Sequence, residues 1–176
     1  MLNYTSDSSA EKAEKLASRL ASDHGVKCIA VKADLGTEQG PGQLVDAVRN
    51  HFTDAKAGKL NIDIIINNAG VASKTSIQEC TSEEFARLYN VNVRGPLLLI
   101  KAAMQFLPTD RSGRIVNVSS VSSSLGFEED GMYGGTKAAL EAMTRTWARE
   151  LSERATVNAV NPGPVSIPCE ALLASR

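Results

Sequence analysis

The sequence predicts an α/β fold, a parallel β-sheet packed between helices. Two observations carry this. Amphipathic helical segments alternate along the chain with short runs rich in Ile, Val and Ala. Those runs are apolar at successive positions, the pattern of strands covered on both faces, as in parallel sheets. The length of 176 residues is that of one domain, taken as residues 1–176.

The elements follow in order. Residues 8–22 are rich in Ala, Glu, Lys and Leu and read as a helix, stopped by Gly25. Residues 28–31 (Cys-Ile-Ala-Val) read as a short buried strand, and Gly36 to Gly42 as a loop. Residues 43–52 form a second amphipathic helix, with Leu44, Val45, Ala47 and Val48 on one side. Ile62 to Ile66 is a β-branched run broken only by Asp63. Thr81 or Ser82 opens a long helix, since Glu84 stands three residues after Thr81 as in a capping box. It runs to about Leu107, before Pro108. Arg114 to Val118 is a strand. Gly131 to Glu150 is a helix whose Leu140, Met143, Thr144 and Trp147 recur at helical spacing. Val157 to Val160 is the last strand, ended by Asn161-Pro162-Gly163.

Composition narrows the function classes. Hydrophobic residues make up 43% and charged residues 22%, with a net charge of -1, so nothing points to disorder, nucleic acid or an anionic membrane. The apolar runs fall far short of the roughly 20 residues of a membrane span. Leu2-Asn3-Tyr4-Thr5 shows no signal-peptide pattern. Cys28, Cys80 and Cys169 have no metal-ligand spacing and suggest reduced thiols in a cytoplasmic protein. His24 and His51 are expected near helix ends on the surface, and no metal site is expected.

The chemistry centres on Tyr133-Gly134-Gly135-Thr136-Lys137. Residues four apart share a helix face. A tyrosine hydroxyl is almost wholly neutral at pH 7, and a nearby ammonium favours the phenolate. Such a pair can protonate a carbonyl oxygen during reduction or deprotonate an alcohol during oxidation. The strand Arg114–Val118 ends in Ser119-Ser120, the place where parallel sheets put ligand-binding groups.

These residues, Gly113 to Ser120, then Gly126, then Tyr133-x-x-x-Lys137, resemble the catalytic core of the short-chain dehydrogenase/reductase family. The family's serine-to-tyrosine interval selects Ser120, with Ser122 as the alternative. Asn67-Asn68-Ala69-Gly70 resembles the family's N-N-A-G beside the cofactor. Asn92-Val93-Arg94-Gly95 resembles its N-x-x-G, and Pro162-Gly163 its P-G near the nicotinamide. Asp34 is similar to the aspartate that reaches the adenine. The resemblance implies a catalytic set of Asn92, Ser120, Tyr133 and Lys137. It also implies cofactor contacts from Asn3, Tyr4, Thr5, Asp34, Leu35, Asn68, Ala69, Gly70, Tyr133, Lys137, Pro162, Gly163 and Val165.

Asn92 has independent support. Pro96 has no N–H to give the carbonyl of Asn92, so the helix is expected to distort there. In the family, the matching asparagine holds a water connected to the catalytic lysine, which implies a proton relay from Tyr133 through cofactor ribose and Lys137.

Family members begin with a strand and a turn of the form T-G-x-x-x-G-x-G, which sets backbone N–H groups against the cofactor pyrophosphate. Gly36-x-x-x-Gly40-x-Gly42 has that spacing but is rejected. Pro41 removes a donor, Glu38 adds negative charge, and the segment falls after Asp34 in the wrong order. Leu2 to Ser6 resembles the end of the family's second strand. The fold expected is therefore an incomplete Rossmann-type, doubly wound parallel sheet lacking the first strand and the glycine-rich turn. The end departs too, with Ile167 where the family's P-G-x-x-x-T has threonine.

The resemblance implies reduction of a carbonyl, or oxidation of the alcohol, as in 3-oxoacyl-carrier-protein reductases and similar carbonyl reductases. NADP(H) is favoured over NAD(H), because the polar residues Asn3 to Ser6 stand where NAD-preferring relatives place an acid, although Asp7 is close. The implied partners are a small-molecule carbonyl or alcohol and a second copy of the chain. Pairing into a homodimer or homotetramer would use the helices 83–107 and 131–150. The alternative is an inactive chain that acts only by associating with other subunits.

Overall fold

The computed structural model describes residues 1–53 and 58–165. It contains two parallel ladders. Strand β1 (Leu2–Tyr4) pairs with β2 (Ala30–Lys32), Asn3 opposite Val31. Strand β3 (Ile64–Asn67) pairs with β4 (Gly113–Val118), which pairs with β5 (Ala155–Val160). Ile65, Ile115 and Val157 fall in one row across the three strands.

Helix α1 (Ala10–His24) joins β1 to β2. It starts later than its composition suggests, because residues 7–9 form a separate 3-10 turn. Gly25 ends it in the left-handed region, φ 63°, where a residue without a Cβ is unstrained. Strand β2 is shifted to Ala30–Lys32 from the expected 28–31. Helix α2 (Gly40–Phe52) begins three residues early, because Gly40-Pro41-Gly42 form its first turn. Pro41 is suited there, having no N–H to leave unpaired.

The segment expected as one long helix is broken. Helix α3 (Ser82–Tyr89) opens on Thr81, whose side chain accepts the N–H of Glu84 at 3.1 Å. Residues 90–94 form a π turn in which Gly95 N–H reaches the carbonyl of Asn90, five residues back. Helix α4 (Gly95–Ala103) then continues with Pro96 in its first turn. The distortion expected upstream of Pro96 is thus a π turn and not a simple kink. After β4, a short α5 (Ser122–Leu125) precedes α6 (Gly131–Glu150), whose bounds match the sequence reading.

Burial of about 1.5–3 kcal/mol per large apolar side chain holds these layers together. Ile65 and Ile115 of the sheet meet Ile100 and Ala103 of α4 and Leu140 and Trp147 of α6 in one cluster. The opposite face differs from expectation. The strands were expected to be covered on both sides, yet residues of β3 and β4 alternate between buried and more open positions. Ile64 and Ile66 stay 64% and 60% exposed. Among the described residues, no element covers that face. Beside β3, between it and β1, lies an apolar slot of about 530 Å³ with Leu2, Leu44, Ile66 and Leu99 on its walls. No described helix is long and apolar enough to cross a membrane.

Candidate active site

The strands run parallel within each ladder, so their carboxyl ends gather the loops that carry chemistry. Asn68 to Gly70 follow β3, Ser119-Ser120 follow β4, and Asn161-Pro162-Gly163 follow β5. Helix α6 supplies Tyr133 and Lys137. Together Asn68, Gly70, Ser120, Tyr133, Lys137 and Gly163 line one cleft of about 260 Å³. The hydroxyl, phenol and amine expected to act on one oxygen atom therefore share a cavity.

Close packing of α6 onto the Ser120 loop requires Gly134. A Cβ there would lie 2.6 Å from the carbonyl oxygen of Ser122. Ser120 is 9% exposed, and its Oγ accepts the N–H of Ser122 at 3.1 Å. That bond uses a lone pair and leaves the hydroxyl hydrogen to donate. Ser122, the alternative serine, begins α5 and is not among the residues lining the cleft.

Lys137 is only 4% exposed. Burial pushes its ammonium below the ordinary lysine range. Nζ donates to the carbonyl of Val118 at 2.8 Å and lies 5.5 Å from the centre of the Tyr133 ring. Gly70 adjoins it, since a Cβ on that residue would meet Lys137 Nζ and Asn92 Oδ1, each at 3.4 Å.

Asn92 does not line the cleft. It lies beneath it, 1% exposed, within the π turn. Its Oδ1 accepts the N–H of Val71 at 2.8 Å, and its Nδ2 donates to the carbonyl of the same residue at 2.8 Å. Nδ2 also donates to Thr136 Oγ1 at 3.0 Å, and Thr136 in turn donates to the carbonyl of Tyr133 at 2.7 Å. The side chain thus ties the loop after β3 to the turn of α6 that bears Tyr133. The sequence reading used only its main-chain carbonyl and missed Thr136, a polar residue inside the Tyr-x-x-x-Lys spacing whose complete burial marks it.

The remaining candidates lie away from this cleft. Asn3 Nδ2 donates to the carbonyls of Ala33 (3.0 Å) and Val31 (3.3 Å), so it laces β1 to the end of β2. Tyr4 ends β1, and Thr5 beside it is exposed. Asp34 Oδ1 accepts the N–H of Gly36 at 2.8 Å within the turn after β2. Leu35 is buried with Ala33 and Leu44, and its carbonyl packs against Gly95. Asn3, Leu35 and Ala69 line the apolar slot, and Asn68 lines both slot and cleft. Val165 is exposed beyond Pro162-Gly163. Ile167 and Cys169 lie outside the described residues. Gly40 supplies no phosphate cradle. Its N–H is taken by Thr37 Oγ1 at 3.0 Å, and a Cβ on it would sit 1.8 Å from the carbonyl of Asp34. No cluster of His, Cys, Asp and Glu suited to a metal occurs among the described residues.

Comparison with known proteins bears on the family of the chain. The family described as short chain dehydrogenase matches residues 2–174. L-xylulose reductase of Aspergillus niger is 51% identical over 174 residues, covering 94% of this chain and 58% of that protein. L-xylo-3-hexulose reductase of Hypocrea jecorina is 47% identical, covering 93% and 57%. A blue fluorescent protein from a metagenomic library, solved in complex with NADPH, superposes with a TM-score of 0.84 at 32% identity, covering 94% of this chain and 64% of that one. The landomycin C-6 ketoreductase LanV, solved with bound NADP and rabelomycin, gives 0.83 at 32% identity, covering 92% and 64%. The chain spans less than two-thirds of the length of these relatives. On this evidence it belongs to the short-chain dehydrogenase family.

Proposed function

We propose that this chain carries the proton-transfer and substrate-orienting half of an NADP(H)-dependent carbonyl reductase, with a keto-sugar or a similar polyhydroxy ketone as substrate. The observation that carries the reading is the single cleft holding Ser120, Tyr133 and Lys137. The ketose relatives support the substrate class, and the motif-level likeness to 3-oxoacyl-carrier-protein reductases does not extend to it.

The residues at the cleft fit the nicotinamide and ribose end of the cofactor. A buried amine faces open space beside a close-packed Gly70, with Pro162-Gly163 on the rim. Asp34, Leu35 and the end of β1 would lie toward the adenine end, where Asp7 is turned to Lys32 at 2.5 Å. The polar residues Asn3 to Ser6 at the end of β1, and the relatives solved with NADPH or NADP, favour NADP(H).

Bound NADPH would supply hydride to the carbonyl carbon. Tyr133 Oη would donate its proton to the forming alkoxide, and Ser120 Oγ–H would hydrogen-bond the same oxygen. Lys137 would hold the ribose and favour the phenolate that Tyr133 becomes. The main-chain carbonyl of Asn92, with a water, would carry the proton path onward from Lys137. Pairing through α3–α4 and α6 remains part of the proposal, supported by exposed Phe85 and Leu97 on the first of these.

A second reading has its own observation. The two ladders are separated by an apolar slot, and Ile64 and Ile66 are open. Such a chain would act only in association with other subunits. Titration with NADPH followed by thermal shift, then NADPH oxidation with L-xylulose, tests both. Saturable binding with turnover supports the reductase, and neither binding nor turnover supports the associating chain.

A further inference from the structure

Glu141 stands four residues beyond Lys137 and eight beyond Tyr133, on the same face of α6. Its Oε1 accepts two hydrogen bonds, from Ser119 Oγ at 2.7 Å and from Asn161 Nδ2 at 2.6 Å. Ser119 is the neighbour of Ser120 at the end of β4. Asn161 is the neighbour of Pro162 at the end of β5. One carboxylate oxygen therefore bridges the two loops that flank the cleft, from the helix that carries its phenol and amine.

The surrounding bonds extend the clasp. Asn161 Nδ2 also reaches the carbonyl of Ser120 at 3.3 Å and Ser123 Oγ at 3.2 Å. Main-chain bonds join the same loops, Ser119 N–H to Val160 at 2.8 Å and Val121 N–H to Pro162 at 3.2 Å. Desolvation raises the carboxyl pKa, but the nearby Ser123 hydroxyl and the bonds from Ser119 and Asn161 outweigh it and hold the group below the ordinary glutamate range. Bonds to an ionised acceptor are shorter and stronger than neutral ones.

We propose that Glu141 is a positioning residue for the cleft. It fixes the Ser120 loop and the Pro162-Gly163 loop at one separation relative to Tyr133 and Lys137, so that hydroxyl and phenol converge on one substrate oxygen. The inference rests on the reductase reading for its consequence, but the clasp can be tested apart from turnover. Both bonds end on one oxygen, so an amide oxygen can replace it. Glu141→Gln should keep the clasp and Glu141→Met should lose it.

The first arm is amide hydrogen exchange on the full chain. In Glu141→Met, Ser119 and Val121 should exchange about tenfold faster or more, while Leu2 and Ala33, bonded in the other ladder, stay unchanged. Glu141→Gln should leave all four near the unmodified rates. Asn161→Ala, which removes one arm of the clasp, should raise exchange at Val121 and serves if the methionine variant fails to fold. The second arm is NADPH oxidation with L-xylulose. Glu141→Met should lose roughly 10- to 100-fold in kcat with KM within about threefold, because a displaced group weakens the transition state more than the bound state, and Glu141→Gln should recover most of the loss. Unchanged exchange at Ser119 and Val121 in both Glu141→Met and Asn161→Ala overturns the proposal. So does a glutamine variant as impaired as the methionine one, or a loss confined to KM. A chain that turns over no ketose defeats the reductase reading alone, and exchange then decides the clasp.

Discussion

Lys137 donates its Nζ hydrogen to the main-chain carbonyl of Val118, 2.8 Å away across the junction of α6 and β4. The amine is thereby held at the floor of the cleft and kept largely out of water. Burial disfavours its charged form and lowers its pKa below 10.5. Linkage gives the sign. Between the lowered value and 10.5 the unfolded chain binds more protons at this site, so folding stability rises with pH across that window. It is lost again as pH falls through the folded value. Denaturant titrations from neutral pH to 10.5 should show the stability of the unmodified chain gaining on that of Lys137→Met, with a slope of at most about 1.4 kcal/mol per pH unit. A difference flat with pH would show that this amine is not desolvated.

Tyr133→Phe removes the hydroxyl and leaves the ring beside Lys137. Turnover of NADPH with L-xylulose should fall by roughly 10²- to 10⁴-fold, while NADPH affinity by thermal shift changes little. Retention of most of the rate would move the proton donor elsewhere in the cleft.

Ser120→Ala removes a donor whose acceptor side is already occupied by Ser122 N–H. The substrate oxygen loses one hydrogen bond that strengthens as it becomes an alkoxide. A fall in kcat of about 10²-fold is expected, with Ser122→Ala much milder, because Ser122 contributes its main chain and not its hydroxyl to Ser120. Equal losses in the two variants would reinstate Ser122 as a candidate.

The reach of sequence reasoning follows the kind of contact involved. Thr81, Gly25 and the bounds of α6 were readable because caps, stop glycines and helical periodicity are local. Ser120, Tyr133 and Lys137 were singled out by the family resemblance, whose order and intervals they follow, and the structure brings the three to one cleft. Asn92 was found for its carbonyl, yet its side chain bonds Val71 and Thr136, contacts that cross 21 and 44 residues. Glu141 escaped notice although it stands at i+4 from Lys137. Its partners arrive from two strand ends, and only their adjacency in the sheet reveals them. The run Ile64 to Ile66 announced burial on both faces, but apolar character states what a face needs and not which element covers it.

Gly134→Ala tests the packing that brings α6 to the Ser120 loop. The new methyl would meet the carbonyl of Ser122 at 2.6 Å, and a backbone atom does not yield as a flexible side chain does. The helix or the loop must shift, at a cost of about 1–3 kcal/mol in urea unfolding. Stability equal to that of the unmodified chain would mean that the approach is looser than the structure shows.

Asn92→Asp separates geometry from charge at a fully buried polar side chain of the site. The asparagine satisfies Val71 with opposed groups, accepting from its N–H and donating to its carbonyl. A carboxylate keeps the first bond, loses the second and sets negative charge against the Val71 carbonyl and Thr136 Oγ1. Thr136 already donates to Tyr133, so rotating its hydroxyl to help would break that bond. A buried charge without its donor partners costs several kcal/mol, more than the cavity and the unmade bonds left by Asn92→Ala. The penalty should depend on pH. Burial raises the pKa of the introduced carboxyl, and the protonated acid can again donate to Val71. Such a group makes the folded state bind more protons than the unfolded one, so stability improves as pH falls toward about 4. Thermal unfolding at pH 5 and pH 8 should therefore find Asn92→Asp closer to Asn92→Ala at the lower pH. An aspartate variant as stable as the parent chain at pH 8 would mean that water, and not Val71, is the true partner of this side chain.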